Sequence, residues 1–203
     1  MTKYSIAVLA SGRGSNLQSI IDSIQTGKLN VDLKIVISDK SDAYALTRAF
    51  EAGFQTEFFP ADKGESRESY GKRLADLLTM HKVDLVVLAG FMRIISKSLI
   101  ERFPNRIINI HPSLLPAFPG LHAQRQAVEA KAKISGCTVH FVDEGCDTGP
   151  IILQKEVIVD PSDTEDSLSA KILKEEHQLL PKVIDLLARN KVQISNRLVT
   201  ILD

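Results

Sequence analysis

The chain of 203 residues balances 25 Lys and Arg against 25 Asp and Glu, for a formal net charge of zero. It therefore lacks the basic footprint on which phosphate-backbone binding draws, and no nucleic acid is expected as a partner. With 44% hydrophobic and 25% charged residues, the length suits a single α/β domain over 1–203 with a substantial core.

The first apolar run, YSIAVLA, reads as a buried strand. It leads through ASGRGSNL into a helix whose Leu17, Ile20, Ile21 and Ile24 fall at helical spacing. A strand-to-helix loop of this kind aims backbone N–H groups and the positive end of the helix dipole at an anion. Gly12 and Gly14 permit close approach, which makes Gly14, Ser15 and Asn16 candidate phosphate contacts. Ser15 and Asn16 also stand where an N-cap belongs, so plain helix capping is the alternative. A dinucleotide fingerprint is disfavoured, because Leu17 occupies the third glycine position and Asp39 lies 25 residues beyond Gly14 instead of the usual ~20.

The same rhythm continues through VDLKIVIS and DAYALTRAFEAG, QTEFFP and SRESYGKRLADLLTMHK, DLVVLAG and SKSLIERFP, and finally RIINIHP. Repeated strand-helix units with continuous apolar strand runs predict a Rossmann-like, mainly parallel twisted sheet flanked by helices. After Gly120 the pattern changes. A helix around Gln124 to Lys131 precedes GCTVHFV and IILQKEVIV, two neighbouring strands expected to pair antiparallel. A long amphipathic helix, roughly Thr164 to Ala188, carries Leu168, Ile172, Leu179 and Leu180 on its buried stripe, and Pro181 is expected to kink or divide it. VQISNRLVTILD would add an edge hairpin. Only Cys137 and Cys146 are cysteines, without a Cys-x-x-Cys pair. Neither a signal peptide nor a membrane-length apolar span is read, so a reducing cytoplasmic setting without a membrane partner is expected.

NIHPSLLPAFPG ends the fifth strand with Asn109 and His111 and follows them with Pro112, Pro116 and Pro119. Residues i and i+2 of a strand project to one side, so Asn109 and His111 face one cleft while Ile110 turns into the core. Doubly wound sheets bind ligands outside these carboxyl ends. Pro112 restricts His111 to extended conformations, and the later prolines stiffen the loop. A histidine after a strand is ordinarily a hydrogen-bonded structural residue. Its companions argue otherwise: HFVDEGCDTGPI supplies His140, Asp143, Glu144 and Asp147 with Gly145 and Gly149 for tight turns, and GFMRI supplies Arg93 after the fourth strand. A neutral donor, a histidine and a carboxylate able to hold it charged suit direct acyl transfer through an oxyanion, without a covalent enzyme intermediate. No His-x-x-x-His or His-Glu-x-x-His spacing occurs, so no metal is expected. A non-catalytic nucleotide-binding module would explain the glycine loop but not the convergent Asn, His and Asp.

Together SGRGSNLQSII, VVLAGFMRIIS, NIHPSLLPAFPG, GCTVHFVDEGCDTGPII and EEH resemble the folate-dependent formyltransferases over essentially the whole chain. The Asn-x-His-Pro-Ser-Leu-Leu-Pro signature is shared with methionyl-tRNA formyltransferase and formyltetrahydrofolate deformylase. The neutral balance, with neither a C-terminal nucleic-acid-binding domain nor an N-terminal regulatory one in the sequence, favours the members that act on glycinamide ribonucleotide in purine biosynthesis. The resemblance implies 10-formyltetrahydrofolate as co-substrate and a catalytic trio of Asn109, His111 and Asp147. It gives Gly14, Ser15 and Asn16 to the ribonucleotide phosphate and Glu176 to the ribose. Arg67, Met92, Arg93, Ile94, Ile95 and Asn109 would bind folate, together with Asp143, Glu144, Gly145, Cys146 and Asp147. Met92, Ile94 and Ile95 would offer apolar walls and backbone groups, and Arg67 would meet a carboxylate of the folate tail. His140 matches a histidine near the catalytic water. Leu173 departs from relatives with a polar phosphate contact there, and the resemblance favours a cis Leu115–Pro116 bond. Taken alone, Arg67 and Glu176 also read as helix charges and Met92 as core.

Overall fold

The computed structural model describes residues 3–202, and the chain divides between Asn109 and Ile110 into two compact units. The first holds β1 (Tyr4–Leu9), α1 (Ser15–Gln25), β2 (Val31–Ser38), α2 (Tyr44–Glu51), β3 (Thr56–Phe58), α3 (Arg67–Met80), β4 (Leu85–Leu88) and α4 (Lys97–Arg102). It also holds the start of β5 (Ile107–His111). Every strand pair is parallel, in the order β3-β2-β1-β4-β5. Ile6, Ala7, Val8 and Leu9 of β1 and Leu85, Val86 and Val87 of β4 are all 0% exposed. Burial on both faces is why these strands read as unbroken apolar runs. Leu17, Ile20 and Ile21 of α1 and Leu74 and Leu78 of α3 supply the helical side of the core.

In the second unit, α5 (Ala123–Glu129) precedes β6 (Ile134–Phe141) and β7 (Ile151–Ile158), which pair antiparallel as their short connection requires. α6 (Glu165–Ala188) packs against both strands. Thr164 and Ser167 cap its start reciprocally, each side chain accepting from the other's backbone N–H. The fold class is thus the expected one: a mostly parallel sheet with antiparallel strands toward the C-terminal half, flanked by helices.

Three local expectations are corrected. Pro181 does not divide α6, because Leu180, Val183 and Ile184 on its stripe are fully buried and their packing outweighs one lost backbone hydrogen bond. β8 (Val192–Ser195) and β9 (Leu198–Ile201) form a separate two-stranded sheet instead of an edge of the main one, with β9 against β7. Finally, the N-cap of α1 is Gly14, at φ 69° and with no side-chain cap, so Ser15 and Asn16 are already helical.

Gly14 is needed for two reasons. Its φ lies in the left-handed region, and a Cβ there would sit 2.7 Å from both Cα and Cβ of Ala45. The first loop is pressed onto α2, with Ala45 N–H donating to Gly12 O at 3.0 Å and Arg48 Nε donating to Arg13 O at 2.8 Å. Gly14→Ala should therefore lower the unfolding free energy by about 1–3 kcal/mol. Urea unfolding measures this, and wild-type stability would show that α2 yields freely.

Candidate functional site

β5 delivers Asn109, half-buried, and His111, 5% exposed, to the carboxyl end of the strand, while Ile110 between them is 6% exposed. The proline segment then folds back on the histidine. His111 Nε2 lies 2.9 Å from Phe118 O, and because a carbonyl only accepts, Nε2 carries the proton. Ser113 Oγ donates to Ala117 O at 2.6 Å and Phe118 O at 3.2 Å. The Leu115–Pro116 bond is cis.

Two strand residues fasten this segment from outside. Thr138 Oγ1 on β6 donates to Ser113 O at 2.6 Å and accepts from Leu115 N–H at 3.1 Å and Gln154 Nε2 at 2.9 Å. Gln154 Nε2 on β7 also donates to Leu115 O at 2.9 Å. One donation and two acceptances exhaust a hydroxyl.

Asp147 completes the group. Its Oδ2 accepts from Gly120 N–H at 2.8 Å and lies 3.4 Å from His111 Nδ1, while Oδ1 lies 3.7 Å from His140 Nε2. His140 Nδ1 faces Phe141 O at 2.8 Å, so this ring too presents its other nitrogen to the carboxylate. The expected meeting of His111 and Asp147 is present, with His140 at the other carboxylate oxygen. Burial pushes the Asp147 carboxyl up, but the His140 hydrogen bond, the Gly120 N–H and the charges of His111 and His140 outweigh it and bring it down from 3.8 to about 2. A charged carboxylate at 14% side-chain exposure is thus held between two imidazoles.

The loop around it is tightly built. Asp147 itself has φ 55°, a conformation that Asp tolerates better than most residues. Asp143 Oδ1 accepts from Gly145 N–H at 3.1 Å and Thr148 Oγ1 at 2.7 Å. A Cβ on Gly149 would fall 1.7 Å from Phe141 O. Glu144, Gly145 and Cys146 are exposed. Burial, then the neighbouring Asp147 charge, pushes the Cys146 thiol up, which keeps it a protonated thiol. Buried Cys137 is pushed up to about 12. On α6, Glu176 is 6% exposed and Leu173 half-buried.

In the first unit, β1 is the strand where the order reverses, with β2 on one side and β4 on the other. The crevice of a doubly wound sheet opens at such a point. Ser11 after β1 and Met92 after β4 are joined there: Ser11 N–H donates to Gly90 O at 2.9 Å, and Met92 N–H donates to Ser11 Oγ at 2.9 Å. Ser11 Oγ donates in turn to Asp39 Oδ1 at 2.6 Å. Met92 and Ile94 are exposed, at 66% and 73%, and Ile95 is half-buried. Arg93 between them lies 4.4 Å over the Tyr70 ring and 3.9 Å from Asp39. Met92 is therefore not core. Arg67 opens α3 as an exposed residue, and Gly14, Ser15 and Asn16 open α1.

Phe118 O, Ser113, Thr138, Gln154 and Ser11 were missed in the sequence. Thr138 alone carried a usable signal, standing two residues before His140 on one face of a strand. Among the described residues, no group of three His, Cys, Asp or Glu side chains is arranged to hold a metal ion, and no helix is long and apolar enough to cross a membrane.

An oriented imidazole beside an ionised carboxylate is the equipment of a group-transfer class of site, suited to polarising a carbonyl and accepting a proton. Known proteins agree. The formyl transferase family matches residues 4–184. The chain is 44% identical over 189 residues to phosphoribosylglycinamide formyltransferase of Escherichia coli (strain K12), covering 93% of this chain and 89% of that protein. Glycinamide ribonucleotide transformylase 1 from Symbiobacterium toebii superposes with a TM-score of 0.97 at 49% identity, over 99% of this chain and 95% of that one. A formyltetrahydrofolate deformylase from Pseudomonas syringae pv. tomato gives 0.93 at 26% identity, over 100% of this chain and 67% of that one. The chain belongs to the formyl transferase family and, within it, to the phosphoribosylglycinamide formyltransferases, enzymes of one-carbon transfer in purine biosynthesis.

Two stability measurements probe the site's framework. Thr138→Val keeps the side-chain shape but strands the Leu115 N–H and Ser113 O, and should cost about 1–3 kcal/mol in denaturant unfolding. For Asp147, the folded-state value lies below the ordinary 3.8, so its charge contributes stability that is present above about pH 4 and lost as the pH falls toward 2. That contribution is about 2 kcal/mol. The stability of Asp147→Asn should accordingly fall less steeply than wild type between about pH 5 and pH 2, and parallel acid limbs would contradict the ionised assignment.

Proposed function

We propose that this chain transfers the formyl group of 10-formyltetrahydrofolate to the amine of glycinamide ribonucleotide, with Asn109, His111 and Asp147 as its catalytic residues. The observation that carries this reading is the Asp147 carboxylate 3.4 Å from His111 Nδ1, with Asn109 two residues before that histidine on the same strand. The amine attacks the formyl carbon, and the carbonyl π electrons move onto oxygen. Asn109 and His111 stabilise the resulting oxyanion. His111 Nε2–H already has Phe118 O as acceptor, so it serves the oxyanion by sharing that proton. Asp147, directly or through water, takes the proton that the attacking nitrogen sheds. The oxyanion electrons then re-form the carbonyl as the bond from carbon to folate nitrogen breaks, that nitrogen takes up the proton Asp147 received, and tetrahydrofolate leaves.

The remaining roles follow the resemblance. Gly14, Ser15 and Asn16 take the ribonucleotide phosphate at the start of α1, and Glu176 takes the ribose. Arg67, Met92, Arg93, Ile94, Ile95, Asn109 and the stretch Asp143, Glu144, Gly145, Cys146 and Asp147 take the folate. His140 supports the catalytic water. Exposed Met92 and Ile94 favour the apolar-wall reading, since a ligand would cover them. Gly14 is unsuited to testing the phosphate site, because a side chain there strains the fold as well. Ser15 and Asn16 are the positions to vary. We read 1–203 as one formyltransferase domain, supported by a family match that runs through both units, and place the enzyme in the cytoplasm with no nucleic acid or membrane partner and no metal.

Formyl transfer assayed with and without glycinamide ribonucleotide tests the substrate. Turnover should require the amine, and formate release without it would signify a deformylase. Asn109→Ala should lower kcat by about 10²–10³-fold, as the loss of one oxyanion donor does, with both substrates still binding. Asp147→Asn should lower the single-turnover rate, since it keeps the side-chain size but removes the proton acceptor. Near-normal turnover by either folded variant would remove that residue from the mechanism.

A further inference from the structure

β8 and β9 are joined by two residues, Asn196 at φ 47° and Arg197 at φ 68°. Two consecutive left-handed residues make a tight hairpin turn of the primed kind, whose second position ordinarily falls to glycine. Here an arginine occupies it, at a local conformational cost. The hairpin also lies beyond residues 4–184, the span of the family match, so the family signature does not account for it.

The guanidinium reaches the Asp loop. Arg197 Nη2 donates to Asp143 Oδ2 at 3.0 Å and to Thr148 O at 2.6 Å. These partners stand on either side of Asp147. Asp143 already gathers Gly145 N–H and the Thr148 hydroxyl, so Arg197 ties together the two arms of the loop that presents Asp147 at φ 55°. Burial raises the Asp143 carboxyl, but the hydrogen bonds from Thr148, Arg197 and Gly145 outweigh it and bring it down. The Arg197 side chain is 63% exposed, and ion pairs so open to water contribute little to stability. The cost of an arginine at this turn position is therefore not recovered in folding energy.

We propose that Arg197 is a positioning residue for formyl transfer: it clamps Asp143 and Thr148 and thereby fixes the conformation from which Asp147 acts. The proposal rests on the reading of Asp147 given above. It makes an unusual demand of Arg197→Gly. Glycine suits the turn better than arginine, so this variant should hold or raise Tm while kcat falls by about 10- to 100-fold, the loss that misplacing a catalytic group by about an ångström brings. KM for glycinamide ribonucleotide should stay at the wild-type value. Arg197→Lys, a point charge without the planar fork, should recover only part of the rate. Asp143→Asn combined with Arg197→Gly should cost less than the two single losses multiplied, because the two residues act through one contact.

The control is Asp147→Asn. If it is impaired while Arg197→Gly turns over like wild type, the clamp is wrong and the Asp147 reading stands. If Asp147→Asn is fully active, the loop has no catalytic group to position and both fall together. A Tm loss in Arg197→Gly that accompanies the rate loss would make the arginine a structural residue, and would equally overturn the proposal.

Discussion

The site in the second unit depends on keeping one carboxylate charged where little water reaches it. Asp147 is mostly shielded, and burial alone would favour the neutral acid. What reverses this is an arrangement of donors that have themselves been oriented. Phe118 O and Phe141 O each hold one nitrogen of an imidazole, so that His111 and His140 turn their remaining nitrogens toward the carboxylate. The Gly120 N–H supplies a donor whose proton does not titrate. Buried polar networks of this kind are worth most when every member is satisfied, and each deletion exposes several groups at once.

The strands determine where these members stand. Thr138 and His140 are two apart on β6 and so share a face, one fixing the proline segment and the other meeting Asp147. The register of β6 against β7 shifts between Val139 and His140. Such irregularities re-aim a side chain at the point where pairing is interrupted, and here that point lies beside the site. The run of prolines after His111 has a related purpose: it turns the chain so that the Phe118 carbonyl comes back against the ring.

Much of this was legible in the sequence because it rests on side-chain periodicity. The parallel strands announced themselves as apolar runs, and Asn109 and His111 as an i, i+2 pair on a strand end. Their link to Asp147 was legible because a loop rich in acidic residues and glycine lay between two strands expected to pair. What escaped was decided by backbone groups and by tertiary packing. No residue type reveals that Phe118 will offer its carbonyl, and Gln154 looks like any polar strand residue. Gly14 took the N-cap position from Ser15 because α2 packs too closely for a side chain, a constraint set by residues some thirty positions away. Pro181 failed to divide its helix because the buried stripe on either side of it is continuous.

The saturated hydroxyl of Thr138 carries one more consequence. It joins the backbone of Ser113 and Leu115 to the amide of Gln154, two strands' worth of sequence with no shared local pattern. Serine could inherit all three bonds; valine, alanine or cysteine could not inherit them in full. Positions 138 and 154 are therefore not free to drift separately. A lineage that changes one without the other leaves an amide or a carbonyl stranded beneath the Ser113–Leu115 segment, so substitutions at the pair are expected to arrive together or in a restricted order, the glutamine being lost only where another donor has first replaced it.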